Sequence, residues 1–536
     1  MRTKHYFIVT VSVIFLIALF AISGYAQADQ NELTSEQARI SRLPINTLLN
    51  EMVKIYENEN DIYAGMDYAM ILKDRIDELE HGTIKNAIEN KKISEVVRVT
   101  LLQLSRELKN KNESMWNRLY SDIAADSTEM PILRQNAIIS LPTTPSSTAI
   151  LSEIISKEDG IIAFQALKKM NIIEPKRATQ LSEIIIANWE QEEELKLSQA
   201  LKVKARNIKE NKSVKETDRF IATCDNILKS AGTQNLHDTV FFALEKLEEM
   251  DAIKVIIKND NIDEVLKKYC ILENRKMISV YLDGQRAKGD KDFFKIDKLY
   301  KELDPHQHYN EQRKVISENE IKPKSKDYSG YAIYRDGALW GLNWHAGLMA
   351  APTATTNKCV IHMNNLFAGV KLDTFSNFMD KSSNDFKGVY RPKSGLTTSQ
   401  KTEVIATARE LTTEQIPYIV SQQLDYYNKT SNGTQKGEPS DISNIRCDGV
   451  VEYCYEYNGI RIYGNDNYWD ISRRSLETLN HHAATKITPK KQAETCMTLY
   501  STSMPGHLIR NQFLLANTTN YQAMSRFARG VIDERM

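Results

Sequence analysis

The chain has 536 residues, 70 Lys+Arg against 70 Asp+Glu and no long run of one charge, which argues against a nucleic-acid-binding surface. Gly (21) and Pro (13) are sparse, as in a folded, helix-rich protein with little disorder. Its length exceeds what one core serves, so two or three domains are expected.

In chain order, Arg2 and Lys4 precede an apolar run from Tyr6 to Gly24, and Ala26-Gln27-Ala28 offers the small residues a signal peptidase accepts. The expectation is a signal peptide over 1–28, cleaved before Asp29, and a secreted or cell-surface product. The less favoured alternative is an uncleaved membrane anchor. Cleavage leaves 68 basic against 70 acidic residues.

From 29 to 303 the apolar spacing is helical, as in Met66, Met70, Leu72, Ile76 and Leu79. Part of it repeats: Pro145 and Pro175 are each followed six residues later by Leu-Ser-Glu-Ile-Ile (151–155 and 181–185). A Pro turn before a repeated helix predicts a HEAT-like array. Such a surface suits a protein partner, although it equally suits plain packing. The polar stretch 304–327 reads as a linker; its His306 and His308 are read as solvated.

Beyond Tyr328 the period becomes strand-like, with strands expected at Tyr331–Tyr334, Leu342–Met349 and Lys358–Asn364. A hairpin centred on the loop between the last two would place His345 opposite His362, with Cβ atoms roughly 5 Å apart. A helical stretch is expected over Ser399–Tyr427. Next comes Cys447, just inside a helix start for which Asp441 and Ser443 are the candidate caps. Val450, Val451 and Cys454 share its apolar face, and the helix N-terminus favours thiolate over thiol. Glu452 and Glu456 fall on the far side and are read as solvated, His481, His482 and His507 as structural, and Trp340, Trp344 and Tyr331 as core, with the lining of a pocket as the alternative. Leu508 to Arg535 reads as an amphipathic helix within a C-terminal 506–536 segment. Six scattered cysteines (224, 270, 359, 447, 454, 496) do not make a disulfide framework, and neither C-x-x-C nor H-E-x-x-H occurs, so neither cofactor nor metal is expected.

Together, W-H-A-G-L at 344–348, C-V-I-H-M at 359–363 and R-C-D-G-V-V-E-Y at 446–453 resemble the circularly permuted branch of the NlpC-type papain-like cysteine peptidases and amidases, relatives of the lecithin:retinol acyltransferase-like enzymes. The resemblance implies an α+β papain-like domain over 328–505 in the order His, polar partner, Cys. It assigns Cys447 as nucleophile, His345 as general base and His362 as the group that orients it, with the backbone N–H of Cys447 or Asp448 as oxyanion donor. It departs from the family in the long interval between His362 and Cys447 and in the Asp448-Gly449 pair. The implied activity is hydrolysis of an amide bond through an acyl-enzyme, in cell-wall peptide if the source is a bacterium. The alternatives are a lipid amidase or acyltransferase, and an inactive binding module carried on a helical scaffold.

Overall fold

A computed structural model describes residues 33–302 and 327–505, apart from short stretches within each. The expected signal peptide, the linker with His306 and His308, Trp340, His481, His507 and the C-terminal helix lie outside the described residues. Among those described, no helix is long and apolar enough to cross a membrane.

The N-terminal region is helical and stacks in two rows. Helices α1 (Glu95–Leu104), α2 (Pro131–Ser140), α4 (Gly160–Ile173), α6 (Glu194–Asn211) and α7 (Gln234–Glu245) pack successively on one another as an inner row. α3 (Pro145–Lys157) and α5 (Pro175–Ala187) pack outside them. Both repeated prolines open these outer helices at the first helical position, where a missing N–H costs nothing.

The C-terminal region is built on a six-stranded antiparallel sheet in the order β4-β3-β2-β1-β5-β8. Its strands are β1 (Ala332–Asp336), β2 (Trp344–Met349), β3 (Val360–Asn365), β4 (Ala368–Asp373), β5 (Phe386–Pro392) and β8 (Met497–Ser501). β6 (Leu424–Tyr426) and β7 (Ile442–Ile445) form a separate pair. Against these strands pack α8 (Phe375–Met379), α9 (Thr398–Thr413) and α10 (Cys447–Glu456). The expected 399–427 helix therefore stops at Thr413. Gln415 then takes a positive φ of 48°, Pro417 follows, and the chain runs on extended.

The runs 414–427 and 442–446 lie along the inner row, which holds them with polar side chains. Gln103 donates to the Tyr418 carbonyl, Gln135 to the Gln415 carbonyl and Arg106 to Asn444 Oδ1. Lys168 and Lys202 both reach the Glu414 carboxylate, at 2.6 and 2.8 Å, and Arg409 pairs with Asp238. One apolar core continues through both regions.

Burial pushes the Glu414 carboxyl up, but the two ammonium groups outweigh it and hold it well below the usual carboxylate range. Burial depresses Lys202 to about 8. Glu414→Gln, which leaves two buried ammonium groups without their anion, should destabilise the fold by about 3–5 kcal/mol in urea denaturation. A change below about 1 kcal/mol would show that the pair does not secure this contact.

Candidate functional site

The two faces of the sheet have different tenants. On one, Tyr334, Trp344, Ala346, Leu348, Ile361 and Met363 belong to the core that contains Cys447, Val450 and Val451 of α10. On the other, Ile333, Met349 and Val360 pack with Phe375 and Phe378 of α8. Gly347 belongs to this second face, where a Cβ would come within 2.8 Å of the Phe378 ring.

His345 and His362 both project to the α8 face, each with its ring 5.4 Å from Phe378. The ladder pairs Leu348 with Ile361 and Met349 with Val360, two residues away from the register expected from the loop centre. An even shift keeps the face, so the histidines meet as diagonal neighbours rather than opposed ones. His345 Nε2 and His362 Nδ1 are 2.9 Å apart, and His362 Nε2 lies 3.7 Å from Asp373 Oδ2. Asp373 is itself held by Lys371 at 2.6 Å and by Asn377 at 2.6 Å. Burial, then Arg335 and His362, depress the His345 pKa well below its usual value. Burial likewise lowers His362 in spite of Asp373.

Cys447 opens α10 as expected, but the cap does not follow the sequence reading. Asp441 and Ser443 precede or lie in β7, and the N-cap is Arg446, with no side-chain cap hydrogen bond. Arg446 is fully buried and makes a bidentate pair with Asp448 at 2.6 and 2.9 Å. It also donates to the Val420 and Ile487 carbonyls, so one guanidinium ties the helix start to two other segments. Gly449 is required here because a Cβ would lie 2.1 Å from the Gln423 carbonyl oxygen, which also accepts the Arg446 N–H.

The structure brings His345 and His362 together and does not bring Cys447 to them. The thiol packs on the Ala346 side of the sheet and takes a hydrogen bond from the Ala346 backbone, while the imidazoles stand on the other side. Nor is the thiol acidified. Burial pushes it up to about 12, and Asp448 adds to the effect, so desolvation overrides the helix terminus on which the sequence expectation rested. All six cysteines are buried thiols, not joined in disulfides.

Three features escaped the sequence reading. Asp373 was missed because β4 was not expected; once His362 is opposite Lys371, Asp373 is its same-face diagonal neighbour. Glu452 and Glu456 are fully buried rather than solvated: His482 Nε2 comes to 2.8 Å from Glu456 Oε2, and Gln423 and Gln492 donate to Glu452. Arg446 was read only as part of a motif. No protein-family model matches the chain, and no curated protein or solved structure does either.

A thiol near 12 has a thiolate fraction about a thousandfold lower at neutral pH than one at the ordinary value of 9.0. Iodoacetamide should therefore leave Cys447 unmodified in the native protein at pH 7.5 and alkylate it in urea, as read by peptide mass spectrometry. Rapid native labelling of Cys447 would contradict this arrangement.

Proposed function

We propose that the chain is an exported cysteine hydrolase of amide bonds whose permuted papain-like domain is held closed by a HEAT-like array. The observation that carries this reading is the buried row His345, His362, Asp373, a charge-backed imidazole pair beside the strand segment that contacts Cys447. Two imidazoles in hydrogen-bond contact, with a carboxylate behind them, suit proton transfer better than packing.

The paired ladder between β2 and β3 stops at Leu348 and Ile361. Catalysis requires the Cys447 sulfur and the His345 ring to meet where the two strands part. His345 then takes the thiol proton as sulfur bonds to the substrate carbonyl carbon. The first N–H groups of α10, from Cys447 and Asp448, face the oxyanion. The C–N bond breaks as the amine takes the proton from His345, and water releases the acyl group by the same route in reverse. The substrate class proposed is a peptide amide of the cell wall, with lipid amides the alternative.

A second reading has its own support. Cys447 lies across the sheet from the histidines and its thiol is not acidified, as in an inactive domain that serves as a binding module on the helical scaffold.

The test uses the mature protein and a Glu414→Gln variant that loosens the array. Each is incubated with peptidoglycan fragments, N-acyl amino acids and phospholipids. A product from one class should appear, faster in Glu414→Gln, and fall on the order of 10⁴-fold in Cys447→Ala. His362→Ala should cost less than His345→Ala. Absence of turnover in both proteins would sink the hydrolase reading in favour of the binding module.

A further inference from the structure

Glu452 and Glu456 stand one turn apart on α10, and His482 reaches both. His482 Nε2 is 2.8 Å from Glu456 Oε2 and 3.6 Å from Glu452 Oε1, and one donor atom from each residue lies within 4.8 Å of the other two. All three side chains are fully buried. Ligands around a tetrahedral zinc ion, each about 2.05 Å from the metal, are about 3.3 Å from one another, so the donors need only small shifts to enclose one.

The surroundings aim these atoms inward. The Thr478 carbonyl lies 2.9 Å from His482 Nδ1 and takes its proton, which leaves Nε2 toward the carboxylates. Glu456 Oε1 accepts the Ile462 and Tyr463 N–H groups at 3.1 and 2.9 Å. Glu452 Oε2 accepts from Gln423 and Gln492 at 2.6 and 3.2 Å. Each carboxylate thus has one oxygen held from behind and one turned to the centre.

The decisive atom is Glu452 Oε1, which is buried and has no hydrogen-bond partner. A single Nε2–H serves only one carboxylate, and the shorter contact is to Glu456. A buried carboxylate oxygen with no donor is costly, whereas a cation at the centre satisfies it together with Glu456 and the imidazole lone pair.

We propose that Glu452, Glu456 and His482 form a binding site for a divalent transition-metal ion of the zinc or manganese type, which fastens His482 onto α10. Two carboxylates offset the charge of a divalent ion, and the imidazole selects against calcium and magnesium, which take oxygen ligands. The position is structural, one helical turn beyond Asp448, and independent of whether Cys447 reacts.

The full chain is dialysed against chelator and titrated by calorimetry with zinc or manganese chloride, with magnesium and calcium chloride in parallel. One ion per chain should bind, the thermal midpoint should rise, and trypsin should cut between 460 and 482 more slowly. Glu452→Gln and His482→Gln should each weaken binding by at least about 10-fold, and Cys447→Ala should bind as the wild type does. Should either variant fail to fold, native mass spectrometry of the wild type, with and without metal, reads the stoichiometry. No stoichiometric ion on the wild type overturns the proposal, as does unchanged binding by a folded Glu452→Gln protein.

Discussion

Glu414, caught between Lys168 and Lys202, is the contact on which the rest of the arrangement leans. It sits where α9 ends and the chain turns extended, so its position sets the path of the residues that follow, up to Tyr427. An ion pair this deep is not a source of large net stability, since desolvation consumes much of the Coulombic gain. What it provides is selectivity. A different seating of the strand would strand three charges out of water, and neighbouring Gln103, Gln135 and Arg106 add the same requirement for backbone carbonyls and Asn444.

The environment of Cys447 follows from that seating. The extended segment brings the Gln423 carbonyl against Gly449 and the Val420 carbonyl against Arg446, and the helix carrying the thiol is walled in on every side. Its buried faces then do different things. One meets the sheet at Ala346; another carries the two glutamates toward His482. In the proposed scheme, these are a reacting end and an anchored end of one short helix.

The sequence was most readable where a local rule had no competitor. Pro145 and Pro175 marked helix starts, period-2 alternation found the strands at His345 and His362, and the two rings share a face because an even slip in register does not change it. It was least readable where distant chain decided the outcome. Glu452 and Glu456 look like solvent-facing carboxylates on any helical wheel, and only residues far along the chain, Gln423, His482 and Gln492, cover them. Asp441 and Ser443 satisfy a capping rule that β7 overrides. The helix expected to reach Tyr427 was ended by Gln415 and Pro417 and then claimed by the inner row. Helix-terminal acidification of Cys447 was a sound local argument, defeated by burial that no window of sequence contains.

Gln103 finds its carbonyl 315 residues downstream, and Arg106 reaches Asn444 across 338. Contacts of that span make closure of the chain slow, because the loop entropy is lost well before the bonds return it. In synthesis the helical rows emerge first, with Lys168, Lys202 and Asp238 facing a groove whose occupant has not been made. Folding of this protein is in effect an intramolecular docking reaction whose ligand is translated last.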